Sequence, residues 1–208
     1  MIALDSYLFH LVNGVFTCSF LDWLMPAITN EKNWIPLLLC LVLWMFFGAN
    51  GKYRPTLLLL ALTIGASDQI SSTLVKKVVG RKRPCCVEAH PRMLTDCKNS
   101  KSFPSGHASN SAAAAGVFWL EVGPGVGIPL LGLSFLIAWS RVYIGVHYPF
   151  DVLAGMLLGL FLAKIMVFLR RTWFPPPITA PSGEASKKLP QPNPETPVMT
   201  ASSNIPQQ

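Results

Sequence analysis

Three short clusters in this 208-residue chain hold residue types that could do chemistry together. The first is Lys76 with Arg83-Pro84 beginning seven positions on, and the second is Pro104-Ser105-Gly106-His107. The third is Ser140-Arg141 followed by His147 and Asp151. Lys76, Arg83 and Arg141 supply fixed positive charge, and arginine adds a planar fork that fits phosphoryl oxygens. Ser105 is placed to cap a helix opening at Gly106-His107, whose outward N–H groups and dipole form an anion site. Gly106 lets an anion approach the backbone with no Cβ in the way. Asp151, four residues after His147, can reach back to its imidazole. That carboxylate would fix the tautomer, free the other nitrogen as a nucleophile and stabilise the charge that develops. His107 is a second imidazole for acid–base work. The chemistry these types imply is attack on a bound phosphate.

The elements that must position these clusters are membrane helices. Charged residues make up 13% of the chain and hydrophobic ones 51%, and the mean hydropathy is +0.42. Residues 33–50, 102–120, 122–140 and 152–163 contain no Lys, Arg, Asp or Glu. A hydrocarbon core ~30 Å thick needs about 20 such residues of helix. This composition excludes a soluble α/β enzyme, a disulfide scaffold and a disordered chain. The net charge of +7 does not signal nucleic acid, because the basic residues sit in the gaps between apolar runs rather than in a stripe with exposed aromatics. The expected fold is all-α, a polytopic helix bundle of about six transmembrane segments. The N-terminus lacks the positive region of a cleavable signal peptide.

Residues 4–21, interrupted by Asp5, His10 and Asn13, predict a weak first span or an interfacial helix. Residues 22–32 read as a polar link. Further segments are expected at 34–48, 56–79, 105–120, 128–140 and 148–169, with a polar loop over 80–103. The fourth, rich in Ala, Ser and Gly, is expected to be the central, protein-buried helix, since small residues let membrane helices approach closely. If each segment crosses once, the three clusters fall on one membrane face and form one site. From 175 to 208 the composition changes, with nine of the chain's 18 prolines. A membrane domain over 1–174 and a disordered Pro-rich tail over 175–208 are expected. Cys18 and Cys40 read as packing residues. Cys97 is positioned to pair with Cys85 or Cys86 if the active face is outside the cell. Asp68 is expected to tie the third segment to the fourth rather than to act in the chemistry.

The eleven residues of the three clusters match, without a departure, the three-part signature of the type 2 phosphatidic acid phosphatase superfamily, which also contains the vanadium haloperoxidases. The resemblance extends over roughly residues 30–170. It implies a six-span lipid phosphatase in which Lys76, Arg83, Ser105, Gly106 and Arg141 hold the phosphate. It also implies His147 as nucleophile, Asp151 as its partner and His107 as acid, with no metal or other cofactor. The compact size is similar to that of bacterial members, which act on undecaprenyl diphosphate, phosphatidylglycerophosphate or lipid A. The expected partners are thus a lipid phosphate substrate and the bilayer, and the expected location is the bacterial inner membrane. Three rivals remain: a phosphotransferase using undecaprenyl diphosphate as donor, a haloperoxidase-like vanadate enzyme, disfavoured because its known relatives are soluble, and a non-catalytic lipid-phosphate binder. The counts of Lys and Arg favour a cytoplasmic active face. We expect the opposite, a periplasmic one, because phosphate-site loops gather basic residues for function and bacterial relatives face outward.

Overall fold

Proline at a first helical position and apolar runs behind it account for the two longest helices. The computed structural model describes residues 2–174, and the Pro-rich tail lies outside the described residues. The chain forms α1 (Ile2–His10), a π-helical turn (Leu11–Val15), α2 (Ser19–Thr29) and α3 (Glu31–Phe47). Next come α4 (Arg54–Gln69), a second π-helical turn (Ile70–Val75), α5 (Lys76–Val79) and α6 (Pro84–Val87). The bundle is completed by α7 (Gly106–Glu121), α8 (Pro124–Tyr143) and α9 (Pro149–Trp173). Among the described residues there is no strand.

The centre of the bundle is α7. Its Ala108, Ala112, Ala113, Ala115 and Val117 are each at most 1% exposed, as the small-residue composition led us to expect. Gly159 of α9 shows how close the two axes come. A Cβ there would lie 2.1 Å from the Ser109 carbonyl oxygen and 2.8 Å from the Ala113 nitrogen, which only glycine avoids. The outward faces are apolar instead of polar. Leu37, Leu43 and Phe47 of α3, Phe135 of α8 and Leu157, Phe161 and Phe168 of α9 are all exposed, as lipid-facing side chains must be.

Three stretches are long and apolar enough to cross a bilayer: 54–87, α8 and α9. The first two helices qualify only as a pair, bent by 117°. The expected count of six is therefore not reached by length: α7, at 16 residues, covers only about 24 Å. Residues 22–32 are helical for most of their length rather than a polar link. Asp22, which suggested the link, accepts from the Tyr143 hydroxyl at 2.6 Å and pairs with Arg92. Cys18, at the N-cap of α2, and Cys40, on α3, are exposed, not packed inside.

Candidate active site

The exit of the 54–79 helix run, the start of α7 and the α8–α9 link meet at one end of the bundle. Their side chains cap a cavity of about 540 Å³, walled there by Lys76, Arg83, Gly106, His107, Arg141 and His147. Ser105 and Asp151 stand behind this wall: both are fully buried, and the Ser105 N–H donates to the Asp151 carbonyl oxygen at 2.9 Å. A Cβ on Gly106 would lie 3.9 Å from the Lys76 ammonium nitrogen, so the first turn of α7 opens toward that charge. All eight residues singled out from the sequence are brought together.

Arg83 organises the centre. Its Nε donates to the Ser100 carbonyl at 2.9 Å and Nη2 donates to the Ser100 hydroxyl at 2.9 Å. Its Nη1 donates to the Val146 carbonyl at 3.0 Å and lies 3.3 Å from His147 Nε2. Guanidinium has only donors, so Nε2 must be the lone-pair nitrogen and Nδ1 carries the proton. Nδ1 faces Asp151 Oδ2 at 3.5 Å, longer than a hydrogen bond, and has no nearer partner among the described residues. Burial pushes the His147 imidazole down to about 4; Asp151 opposes this, and Arg83 and Arg141 reinforce it. His147 is thus neutral at neutral pH, with its free lone pair facing a cation. Arg141 donates to the Thr29 hydroxyl at 2.7 Å, which ties α2 to the site. Ser105 occupies the N-cap position without making the expected side-chain cap. Its Oγ is buried with no partner among the described residues.

Three residues that sequence reasoning passed over complete the arrangement. Arg81 bridges Asp151 Oδ1 at 2.8 Å and Asp5 Oδ2 at 2.6 Å, with its guanidinium 3.9 Å over the Tyr148 ring. The Ser102 hydroxyl donates to Asp151 Oδ2, which also accepts from the Tyr148 N–H at 2.9 Å. Asp5, 1% exposed, accepts from the Phe150 N–H at 2.9 Å through its other oxygen. The signal for Asp5 lay in the interruptions of the first apolar run, for each interrupting residue meets the 80–103 loop. His10 and Ser6 meet Glu88, and Asn13 donates to the Arg92 carbonyl at 2.8 Å. Burial pushes the Glu88 carboxyl up, but hydrogen bonds from Tyr148, Ser6 and His10 outweigh it and leave the group below its ordinary value. The same loop is closed by a disulfide, Cys85–Cys97, one of the two pairings considered.

The family model for the PAP2 superfamily matches residues 56–175, more than half of the chain. The chain belongs to the PAP2 superfamily. Among PAP2 relatives, a lipid A 4'-phosphatase of Bacteroides thetaiotaomicron is 28% identical over 180 residues, covering 80% of this chain and 76% of its own. A putative undecaprenyl-diphosphatase of Escherichia coli is 32% identical over 162 residues, covering 76% and 78%. Among solved structures, the transmembrane PAP2 type phosphatidylglycerolphosphate phosphatase of Bacillus subtilis superposes with a TM-score of 0.65 at 25% identity. That match covers 82% of this chain and 86% of the other. α1, α2 and α3 precede the region that the PAP2 model matches, yet Asp5 and Thr29 reach into the site from them.

Proposed function

We propose that this protein is an integral-membrane lipid phosphatase that works through a phosphohistidine at His147. The observation that carries this is the sequence of contacts Asp151–His147–Arg83 at the head of an otherwise apolar cavity. A phosphate entering between Arg83 and His147 Nε2 would take over the guanidinium and meet the lone pair in line. Lys76, Arg141, the Ser105 hydroxyl and the N–H groups opening α7 would hold the remaining oxygens, supplying the charge that metal ions supply elsewhere. The Nε2–P bond forms as the P–O ester bond breaks, and His107 gives its proton to the leaving oxygen. His107 then accepts a proton from water, whose oxygen attacks phosphorus. The N–P bond breaks and inorganic phosphate leaves.

The leaving lipid has a path. Leu60, Ile64, Phe118, Leu130 and Leu133 line the rest of the cavity, at the depth where acyl or prenyl chains lie. The membrane domain over 1–174 crosses six times in this reading, with α3 and α7 as its short crossings. The active face is the periplasmic side of a bacterial inner membrane. The Cys85–Cys97 disulfide on that face supports the orientation, since disulfides persist in oxidising compartments.

Two variants test the mechanism. A lipid alcohol leaves poorly without a proton, whereas nitrophenolate leaves unaided. His107→Ala given nitrophenyl phosphate should therefore accumulate acid-labile phosphate on His147, and His147→Ala should carry none. Solvent oxygen entering phosphorus in one inverting step, with no labelled protein from either variant, would refute the covalent route.

A further inference from the structure

Three of the helices lining the cavity carry a polar residue between a charged or imidazole-bearing end and an apolar depth. On the 54–79 helix run the lining residues are Leu60, Ile64, Asp68, Ser72 and Lys76, one turn apart. On α7, His107 is followed by Asn110 and then by Ala114 and Phe118; on α8, Arg141 is preceded by Ile137, Ser134 and Leu130. Cations and histidines thus cap the cavity and hydrocarbon fills its depth. A polar layer lies between, one turn past His107 on α7 and about two turns from Lys76 and Arg141 on the other two.

The hydrogen bonds of that layer are unevenly committed. The Ser111 and Ser134 hydroxyls pair with each other at 2.8 Å. The Ser72 hydroxyl donates to the Asp68 carbonyl at 2.6 Å. Asn110 Nδ2 lies 3.4 Å from Asp68 Oδ1, the contact that Asp68 was expected to make with this helix. A carboxylate only accepts, so the amide nitrogen is the atom that faces it and Asn110 Oδ1 points elsewhere. That oxygen is buried without a partner, and Asp68 Oδ2 also has none among the described residues. Two acceptors stand open on the leaving-group side of the cationic cap, in a layer whose other polar groups, the Ser72, Ser111 and Ser134 hydroxyls, are already hydrogen-bonded. The buried Asn110 oxygen, left unpaired, costs free energy until a donor arrives.

We propose that Asp68 and Asn110 form a hydroxyl-binding subsite, so that the substrate is a phosphomonoester on a hydroxylated headgroup, of the sugar or glycerol class. The proposal rests on the lipid phosphatase reading above. Hydroxyls adjacent to the ester oxygen would donate to Asp68 Oδ2 and Asn110 Oδ1. A prenyl diphosphate has no donor at this depth, and its retained phosphate would face a carboxylate and an amide oxygen. A monoester attached directly to diacylglycerol lacks the donor as well.

The test measures phosphate released by the full-length protein in detergent from four lipids. These are a lipid A-type glucosamine 4'-phosphate, phosphatidylglycerophosphate, phosphatidic acid and undecaprenyl diphosphate. The expected result is a kcat/KM for one or both of the first two at least tenfold above those of the last two, and the better of the pair identifies sugar or glycerol. Asn110→Leu and Asp68→Leu should each reduce that ratio about tenfold, the effect of one hydrogen bond lost to a group that stays buried. Asp68→Asn, which keeps an acceptor, should preserve it. Equal turnover of all four lipids by the wild type would overturn the subsite whether or not the variants fold. So would a ratio unchanged in both leucine variants. Release from none of the four lipids would instead overturn the phosphatase reading, and the subsite with it.

Discussion

Replacing Arg81 by methionine removes one cation from between two carboxylates that have no access to water. Asp5 is 1% exposed and Asp151 is fully buried, and Arg81 holds them at 2.6 and 2.8 Å. Taking one partner from a buried ion pair costs about 3–5 kcal/mol, because the remaining charge is left uncompensated. The Arg81 side chain is 22% exposed, which places the ion-pair loss near the lower figure. Loss of the cation over the Tyr148 ring adds about 0.5–1 kcal/mol. Arg81→Met should therefore lower unfolding free energy by about 3–4 kcal/mol. Asp5→Asn alone removes one charge while Arg81 still pairs with Asp151, and should cost about half as much. In the double variant the charge stranded at position 5 is gone, so its loss should fall short of the sum by at least 1 kcal/mol. Denaturant titration in mixed micelles, followed by tryptophan fluorescence, yields all three values. An Arg81→Met protein within 0.5 kcal/mol of wild type, or strictly additive variants, would refute the reasoning.

Four further outcomes follow from the geometry. The His147 imidazole is held near 4, below the 6.5 of a free one, so the nucleophile stays neutral as acid is added; kcat/KM should hold to about pH 5 and then fall with unit slope. The unfolded chain takes up that proton first, so the His147 contribution to stability should be lost as pH drops from about 6.5 to about 4, and thermal scans across pH should show a decline over that window. Gly159→Ala should lose about 1–3 kcal/mol through overpacking against α7, while Gly132→Ala, with nothing within 4 Å of the new Cβ, should be neutral or stabilising in the same thermal scans. Activity should resist EDTA and yield to vanadate, since the one carboxylate beside the nucleophile, Asp151, is already committed to Arg81, Ser102 and the Tyr148 N–H; loss on chelation and recovery with magnesium would contradict this.

The parts of the site that were legible in the sequence are those whose spacing is local. Asp151, four residues after His147, sits in the first turn of α9 with His147 just ahead of that helix, and Ser105-Gly106-His107 reads as a cap and first turn from local spacing alone. Counting apolar segments was enough to bring Lys76, Arg83 and Arg141 to the same end, although segment lengths misled on how many helices are long enough to cross. Arg81 and Ser102 could not be distinguished from the other basic and hydroxyl residues of the 80–103 loop, because their role depends on where that loop folds back. Asp5, His10 and Asn13 were visible as breaks in an apolar run and nothing more. A buried polar residue announces that it needs a partner, but a one-dimensional pattern does not say which. The 117° bend between α1 and α2 was likewise hidden, since residues 4–21 read as one run.

The two helices joined at that bend extend the unit that must fold well beyond the recognisable family region. A polypeptide cut at residue 56, where the match to the superfamily begins, would keep all eight residues assigned to the reaction. It would lack Asp5, Asn13, Asp22 and Thr29, and so would leave Arg81 with Asp151 alone, Arg92 without its carboxylate partner and Arg141 without its hydroxyl. Asp5, Asp22 and Thr29 thus supply partners to three arginines that the family region leaves incomplete. A fusion, tag or deletion there edits the electrostatics around the phosphate as directly as a substitution within the signature would.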